Sequence, residues 1–125
     1  MIKTKSIYDQ KEKSDGTRIL VTRYYPRGVR KAKFDRWYRE LSPSANLLKL
    51  FKDGEMTQKV FFQFFCKEQS NDRKKMELCK KLATESLNKT ITLLCYEKEE
   101  ISCHRYYLKR ICEQELSALN STKSK

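Results

Sequence analysis

Two short apolar runs do most to limit what this chain can become. Arg18-Ile19-Leu20-Val21-Thr22-Arg23 and Thr90-Ile91-Thr92-Leu93-Leu94-Cys95-Tyr96 are nearly continuous in β-branched and aliphatic residues. That pattern belongs to strands covered on both faces, as in parallel sheets whose crossover connections lie over each side. Most of the chain between them reads as helix. The expected architecture is therefore a small three-layer α/β domain with a mainly parallel central sheet and these two runs at its centre. Ile2 to Tyr8 sets Lys3, Lys5 and Ile7 against Ile2, Thr4, Ser6 and Tyr8, an edge strand with one basic face. Asp15-Gly16 reads as a turn.

From Lys31 to Leu41 the residues Phe34, Trp37, Tyr38 and Leu41 recur at spacings of three and four, which predicts a first amphipathic helix ended by Ser42-Pro43. Ser44 then caps a helix carrying Leu47, Leu48 and Phe51, broken by Asp53-Gly54. Met56, Val60, Phe61, Phe64 and Phe65 mark a third stripe. A fourth, starting near Ser70-Asn71-Asp72, carries Met76, Leu78, Cys79, Leu82, Ala83 and Leu87. A last helix from Cys103 onward places Tyr107, Leu108, Ile111, Cys112, Leu116 and Leu119 on the sheet, and residues 120–125 read as a disordered tail. Residues 1–119 make one domain, since a chain of 125 residues removes roughly two-thirds of its extended surface from water and needs no staple. The aromatic helix Val60 to Phe65 is core or a dimer seam, so a monomer and a homodimer are both open.

Charge narrows the partners. Lys and Arg number 28 against 16 Asp and Glu, a net charge of +12, which attracts small anions and nucleic acid. Arg73-Lys74-Lys75 and Lys80-Lys81, with Lys11, Lys13, Arg30, Lys31 and Lys33, form either a solvated surface or a track for a nucleic-acid backbone. No apolar run approaches the roughly 20 residues of a membrane span, and Met1-Ile2-Lys3-Thr4-Lys5 lacks the core of a signal peptide. A cytoplasmic protein without a membrane partner is expected. Cysteines 66, 79, 95, 103 and 112 make an odd set with no Cys-x-x-Cys; reduced thiols are expected, with Cys66, Cys79 and Cys95 as small core hydrophobes. Cys95, Cys103 and His104 match no zinc spacing, so neither a metal nor another cofactor is expected. Walker, Gly-x-Gly-x-x-Gly, His-Glu-x-x-His and Gly-x-Ser-x-Gly motifs are absent.

The candidate site follows from the sheet. Parallel central strands end on one edge, outside which open α/β sheets bind ligands. The loops there are Tyr24 to Gly28 and Glu97 to Ser102. Arg23 and Arg27 bracket Tyr24-Tyr25-Pro26, and a guanidinium fork grips a phosphate or carboxylate in bidentate fashion. Gly28 permits a tight reversal. With Ser102 as cap, Cys103 falls in the first helical turn, where free N–H groups and the helix dipole favour a thiolate or an anion. Arg105 adds charge. The functional reading makes Arg23, Arg27, Gly28 and Arg105 ligand-binding, with Cys103 as nucleophile, His104 as proton carrier and Glu97 as base. The structural reading is a capped helix start whose adjacent Cys and His do not face each other, with an arginine paired to Glu97 or Asp35. The leading expectation is a small domain binding an anionic ligand, with enzyme activity left undecided. The alternative is a basic nucleic-acid-binding or adaptor module without catalysis.

Arg18 to Gly28, then Lys31, Asp35-Arg36-Trp37, Leu41-Ser42-Pro43-Ser44 and the helix with Phe61, Phe65 and Glu68, resemble the YeaO-like group of the family called domain of unknown function 488. The ending Leu93-Leu94-Cys95-Tyr96-Glu97 with Cys103-His104-Arg105 resembles the family's other branch. Thr22 and Tyr24-Tyr25 depart from the residues usual at those positions. The resemblance implies a cytoplasmic three-layer α/β domain with no established activity. It also implies a shared site at Arg23, Pro26, Arg27, Gly28, Glu97, Cys103, His104 and Arg105.

Overall fold

The computed structural model describes residues 1–96 and 104–123, with backbone alone at 104, 106 and 119–123. Strands β1 (Ile2–Ser6), β2 (Thr17–Leu20), β3 (Arg36–Trp37) and β4 (Ile91–Cys95) form one sheet in the order β1-β4-β2-β3. Every pairing is parallel: Ile2 lies opposite Ile91, Thr17 opposite Ile91 and Ile19 opposite Arg36. The two apolar runs are the interior strands and the basic N-terminal strand is an edge, as their composition requires.

Helices α1 (Ala45–Lys52), α2 (Gln58–Ser70), α3 (Arg73–Ser86) and α4 (His104–Lys123) complete the fold. Their starts follow N-cap chemistry: the side chains of Ser44, Thr57 and Asp72 accept the N–H of Leu47, Val60 and Lys75. All four pack on one face of the sheet. Ile2, Ile19, Val21, Ile91 and Leu93 meet Leu47, Phe61, Phe65, Leu82, Leu108 and Cys112 there. Phe61 and Phe65 are thus consumed by the chain's own core, and Phe64 is the ring of that helix left exposed.

The opposite face is covered differently. Ile7, Leu20 and Leu94 pack against Val29, Phe34 and Trp37, so the third layer is loop and 3-10 turn rather than helix. This corrects the helix expected over Lys31 to Leu41. The segment is a 3-10 turn at Lys31–Lys33, strand β3, and a second 3-10 turn at Arg39–Leu41. Trp37 packs on the loop face while its neighbour Tyr38 packs with the helix-side core, the alternation of a strand. The Asp35 and Tyr38 N–H groups donate to the Arg18 and Leu20 carbonyls, both at 2.8 Å. The spacing of three and four arose from residues divided between two cores.

Three smaller expectations shift. β2 ends at Leu20, although Val21 and Thr22 remain buried. α4 continues to Lys123, so 120–123, expected within a disordered tail, are helical. Cys66, Cys79 and Cys112 are free thiols, but Cys95 is disulfide-bonded, against the expectation of reduced thiols throughout. No helix among the described residues is long and apolar enough to cross a membrane.

Candidate functional site

β2 and β4 are neighbours and parallel, so their C-terminal ends share an edge. The elements that come next in sequence pack on opposite faces: the segment after β2 covers the loop face with Val29 and Phe34, and α4 packs on the helix face through Leu108 and Cys112. In open α/β sheets such a divergence is where ligands bind.

The segment 21–29 that follows β2 is tied down, mostly through its carbonyls. The Val21 N–H donates to Leu94 O at 3.0 Å. Trp37 Nε1 donates to Thr22 O at 2.7 Å and Arg39 Nε to Arg23 O at 2.9 Å. Thr22 Oγ1 and the Tyr96 hydroxyl both donate to Tyr24 O. The Tyr8 hydroxyl donates to Arg27 O at 3.0 Å and the Tyr25 hydroxyl to Val29 O at 2.7 Å. Gly28 turns the chain at φ +74° with open space around it. With its carbonyls so occupied, the loop presents its side chains to solvent: Arg27 and Tyr24 are exposed and Arg23 half-buried.

The residues nominated from sequence are placed unequally. Arg23, Arg27 and Gly28 lie on this loop, and neither guanidinium is in a salt bridge with a described residue. Arg105, one residue into α4, is 1% exposed, an interior cation rather than an open one. Glu97 and Cys103 lie outside the described residues, as does Ser102; His104 opens α4, with its backbone alone described. Asp35, weighed as a partner for an arginine, accepts the backbone N–H of Arg18 at 2.8 Å instead.

Beside Gly28 the surface sinks into a cavity of about 440 Å³ lined by Lys11, Gly28, Arg30, Ala32 and Lys33. Its walls are the segments that follow β1 and β2, bridged where Lys11 Nζ donates to Ala32 O at 3.1 Å. It takes in neither Arg23, Arg27 nor Arg105. Among the described residues, three cations and no acidic side chain line it, which favours an anion. By contrast, the basic residues of α3 are mixed with acids: Arg73 pairs with Glu77, and a second cavity there has Glu40 and Glu77 beside Lys74 and Lys81.

Behind this wall lies a buried charge network that the sequence reading missed. Asp15, wholly buried, accepts from Arg18 Nη1, from Lys5 Nζ at 3.1 Å and from Lys3 Nζ at 3.3 Å. Arg18, 1% exposed on a central strand, also donates from Nε to Lys33 O at 2.7 Å. Burial raises the Asp15 pKa, but the Glu12 N–H and the two ammonium groups outweigh it and bring the carboxyl down to about 2. An arginine inside an otherwise apolar strand was the available signal, because a buried cation demands a buried anion. Among the described residues, no group of three or more His, Cys, Asp or Glu is placed to hold a metal ion.

Residues 2–116 match the family model DUF488-N3a, described as the active DUF488-N3 subclade. The uncharacterized protein YeaO of Escherichia coli (strain K12) is 33% identical over 109 residues, which cover 86% of this chain and 92% of that protein. No solved structure matches.

Proposed function

The chain belongs to the DUF488 family, and on that premise we propose that it binds a small phosphate- or carboxylate-bearing ligand at the C-terminal edge of its sheet. The observation that carries this reading is the cavity lined by Lys11, Gly28, Arg30 and Lys33, a cationic hollow over the loop face of the sheet, between the two segments that run back from that edge. Arg23 and Arg27, on the same loop and without salt bridges to described residues, supply further guanidinium groups. The Cys103-His104-Arg105 motif and Glu97 belong to the same proposal. Arg105, an interior cation, contributes field rather than contact. Because Cys95 is disulfide-bonded, a chemical step would draw on Cys103 as nucleophile only in the fully reduced protein, with His104 and Glu97 as proton-transfer groups. The description of the matching subclade as active favours a working site over a vestigial one.

Thermal melts with inorganic phosphate and pyrophosphate test this. A ligand at 100 times its Kd stabilises the native state by about 2.7 kcal/mol, a rise of several degrees for a domain of this size. Phosphate also stabilises proteins generally, so the decisive comparison is with Arg30→Ala and Lys33→Ala, which should keep the general effect and lose the specific one. Equal rises in wild type and variants would overturn the proposal.

A further inference from the structure

The loop at the sheet edge exposes more aromatic surface than a small anion requires. Tyr8, Tyr24 and Tyr25 are 47%, 55% and 40% exposed, although phenol rings of this size usually lie largely inside. Hydrogen bonds gather them in one place. The Tyr8 hydroxyl reaches the carbonyl of Arg27, the Tyr25 hydroxyl that of Val29, and the Tyr24 carbonyl is held by the Tyr96 hydroxyl. Tyr25 also stands edge-on to Phe34 and Trp37, at centroid distances of 5.9 and 5.6 Å and interplanar angles of 64° and 76°. Its ring is therefore fixed in orientation while much of it faces water.

Cations surround these rings. Arg27 lies within the same loop, and the Lys11, Arg30 and Lys33 cavity adjoins it at Gly28. Among the described residues, Asp9 and Asp35 are engaged by backbone: Asp9 accepts the Ser6 N–H at 3.1 Å and Asp35 that of Arg18. Flat π faces beside a row of cations match a ligand that has exposed bases as well as phosphates. A duplex hides its base faces. One mononucleotide would occupy one ring, whereas three exposed rings are tied to the one loop that also borders the cationic cavity at Gly28, on a chain of net charge +12.

We propose that this edge binds single-stranded nucleic acid, with bases stacked on Tyr8, Tyr24 and Tyr25 and backbone phosphates held by Arg27 and the Lys11, Arg30 and Lys33 cavity. The inference rests on the anion-binding reading above and names its ligand.

Fluorescence anisotropy with a labelled oligothymidylate of about 12 nucleotides, a duplex of equal length and a labelled mononucleotide tests it across a salt series. The single strand should bind at least tenfold tighter than either comparison. Tyr24→Ala should weaken it roughly fivefold to a hundredfold with the salt slope unchanged, and Tyr24→Phe should restore it. Arg30→Ala should reduce the slope by about one, and Lys74→Ala on α3 should do nothing. Tyr24 is the primary variant because its ring is the most exposed of the three, and circular dichroism confirms each variant's fold. Equal affinity for duplex and single strand, or a Tyr24→Ala variant that binds normally, would overturn the inference. So would a mononucleotide that binds as tightly as the oligomer. If pyrophosphate still shifts the melt in those cases, anion binding survives and only this assignment fails; if nothing binds, both fail.

Discussion

Replacing Asp15 by Asn keeps the shape of a buried side chain and removes its charge. In the native protein that carboxylate is wholly buried and faces Arg18, Lys5 and Lys3. Its pKa of about 2 lies almost two units below the roughly 3.9 of an unfolded aspartate. A depressed folded-state pKa contributes stability above pH 4 that is lost as the pH falls from about 4 to about 2, an amount of about 2.5 kcal/mol. The substitution costs more than this titration, because Arg18 stays buried without a counter-ion, and breaking a buried pair from one side costs about 3–5 kcal/mol. Against a typical total of 5–15 kcal/mol, urea unfolding at pH 7 should show a large drop in midpoint. The gap between wild type and variant should narrow between pH 4 and pH 2, where the wild type also protonates Asp15. The double variant with Arg18→Met should be more stable than Asp15→Asn alone, since the stranded cation is gone as well. A loss under about 1 kcal/mol, a gap indifferent to pH, or a double variant weaker than the single would refute the reasoning.

Gly16→Ala should cost more than about 3 kcal/mol or prevent folding, because its Cβ would lie 2.1 Å from the carbonyl oxygen of Thr90 at a φ of +64°; Gly54→Ala, with φ +75° and open space, should cost only about 1–2 kcal/mol. Parallel thermal melts check the pair, and equal losses would mean that the approach of Gly16 to β4 is looser than described. Cys112 is wholly buried, and a thiol hydrogen bond with Cys79 together with burial raises its pKa well above the ordinary thiol value. Alkylation at neutral pH followed by peptide mapping should therefore leave Cys79 and Cys112 unlabelled until denaturant is added.

The sequence was most legible where burial alone dictates pattern. The interior strands, the cap at Ser44, the helix start near Asp72 and the stripes of α1 to α3 all follow from periodicity and local hydrogen bonding, whereas the Thr57 cap emerged only in the structure. It was least legible between Lys31 and Leu41, where Phe34 and Trp37 serve one core and Tyr38 and Leu41 the other. No one-dimensional spacing distinguishes that division from a helix. The candidate edge was legible from the parallel strands and the Arg-bearing loop. The Lys11, Arg30 and Lys33 cavity was visible only as a diffuse excess of charge, because its walls come from segments following two different strands. The Asp15 network escaped because Asp15-Gly16 also satisfies the simpler demands of a turn.

Arg18 explains why a sheet face without a helical cover can still support a defined cavity. Its guanidinium bonds to Asp15 in the segment that follows β1 and to the Lys33 carbonyl in the segment that follows β2, while its own N–H is taken by Asp35. Both walls of the cationic cavity are thus fixed to one side chain on a central strand, and Lys11 closes them across Ala32. A helix laid over this face would supply more apolar burial, but its backbone donors and acceptors would be spent within itself, leaving fewer groups near the strand ends for an anion. The polar layer gives up some hydrophobic stabilisation and gains cations whose backbones are ordered before any ligand arrives. That reduces the entropy lost on binding. It follows that the Asp15→Asn, Arg18→Met pair, even where it restores stability, should bind anions less well than wild type, because the side chain that joins the two walls is missing.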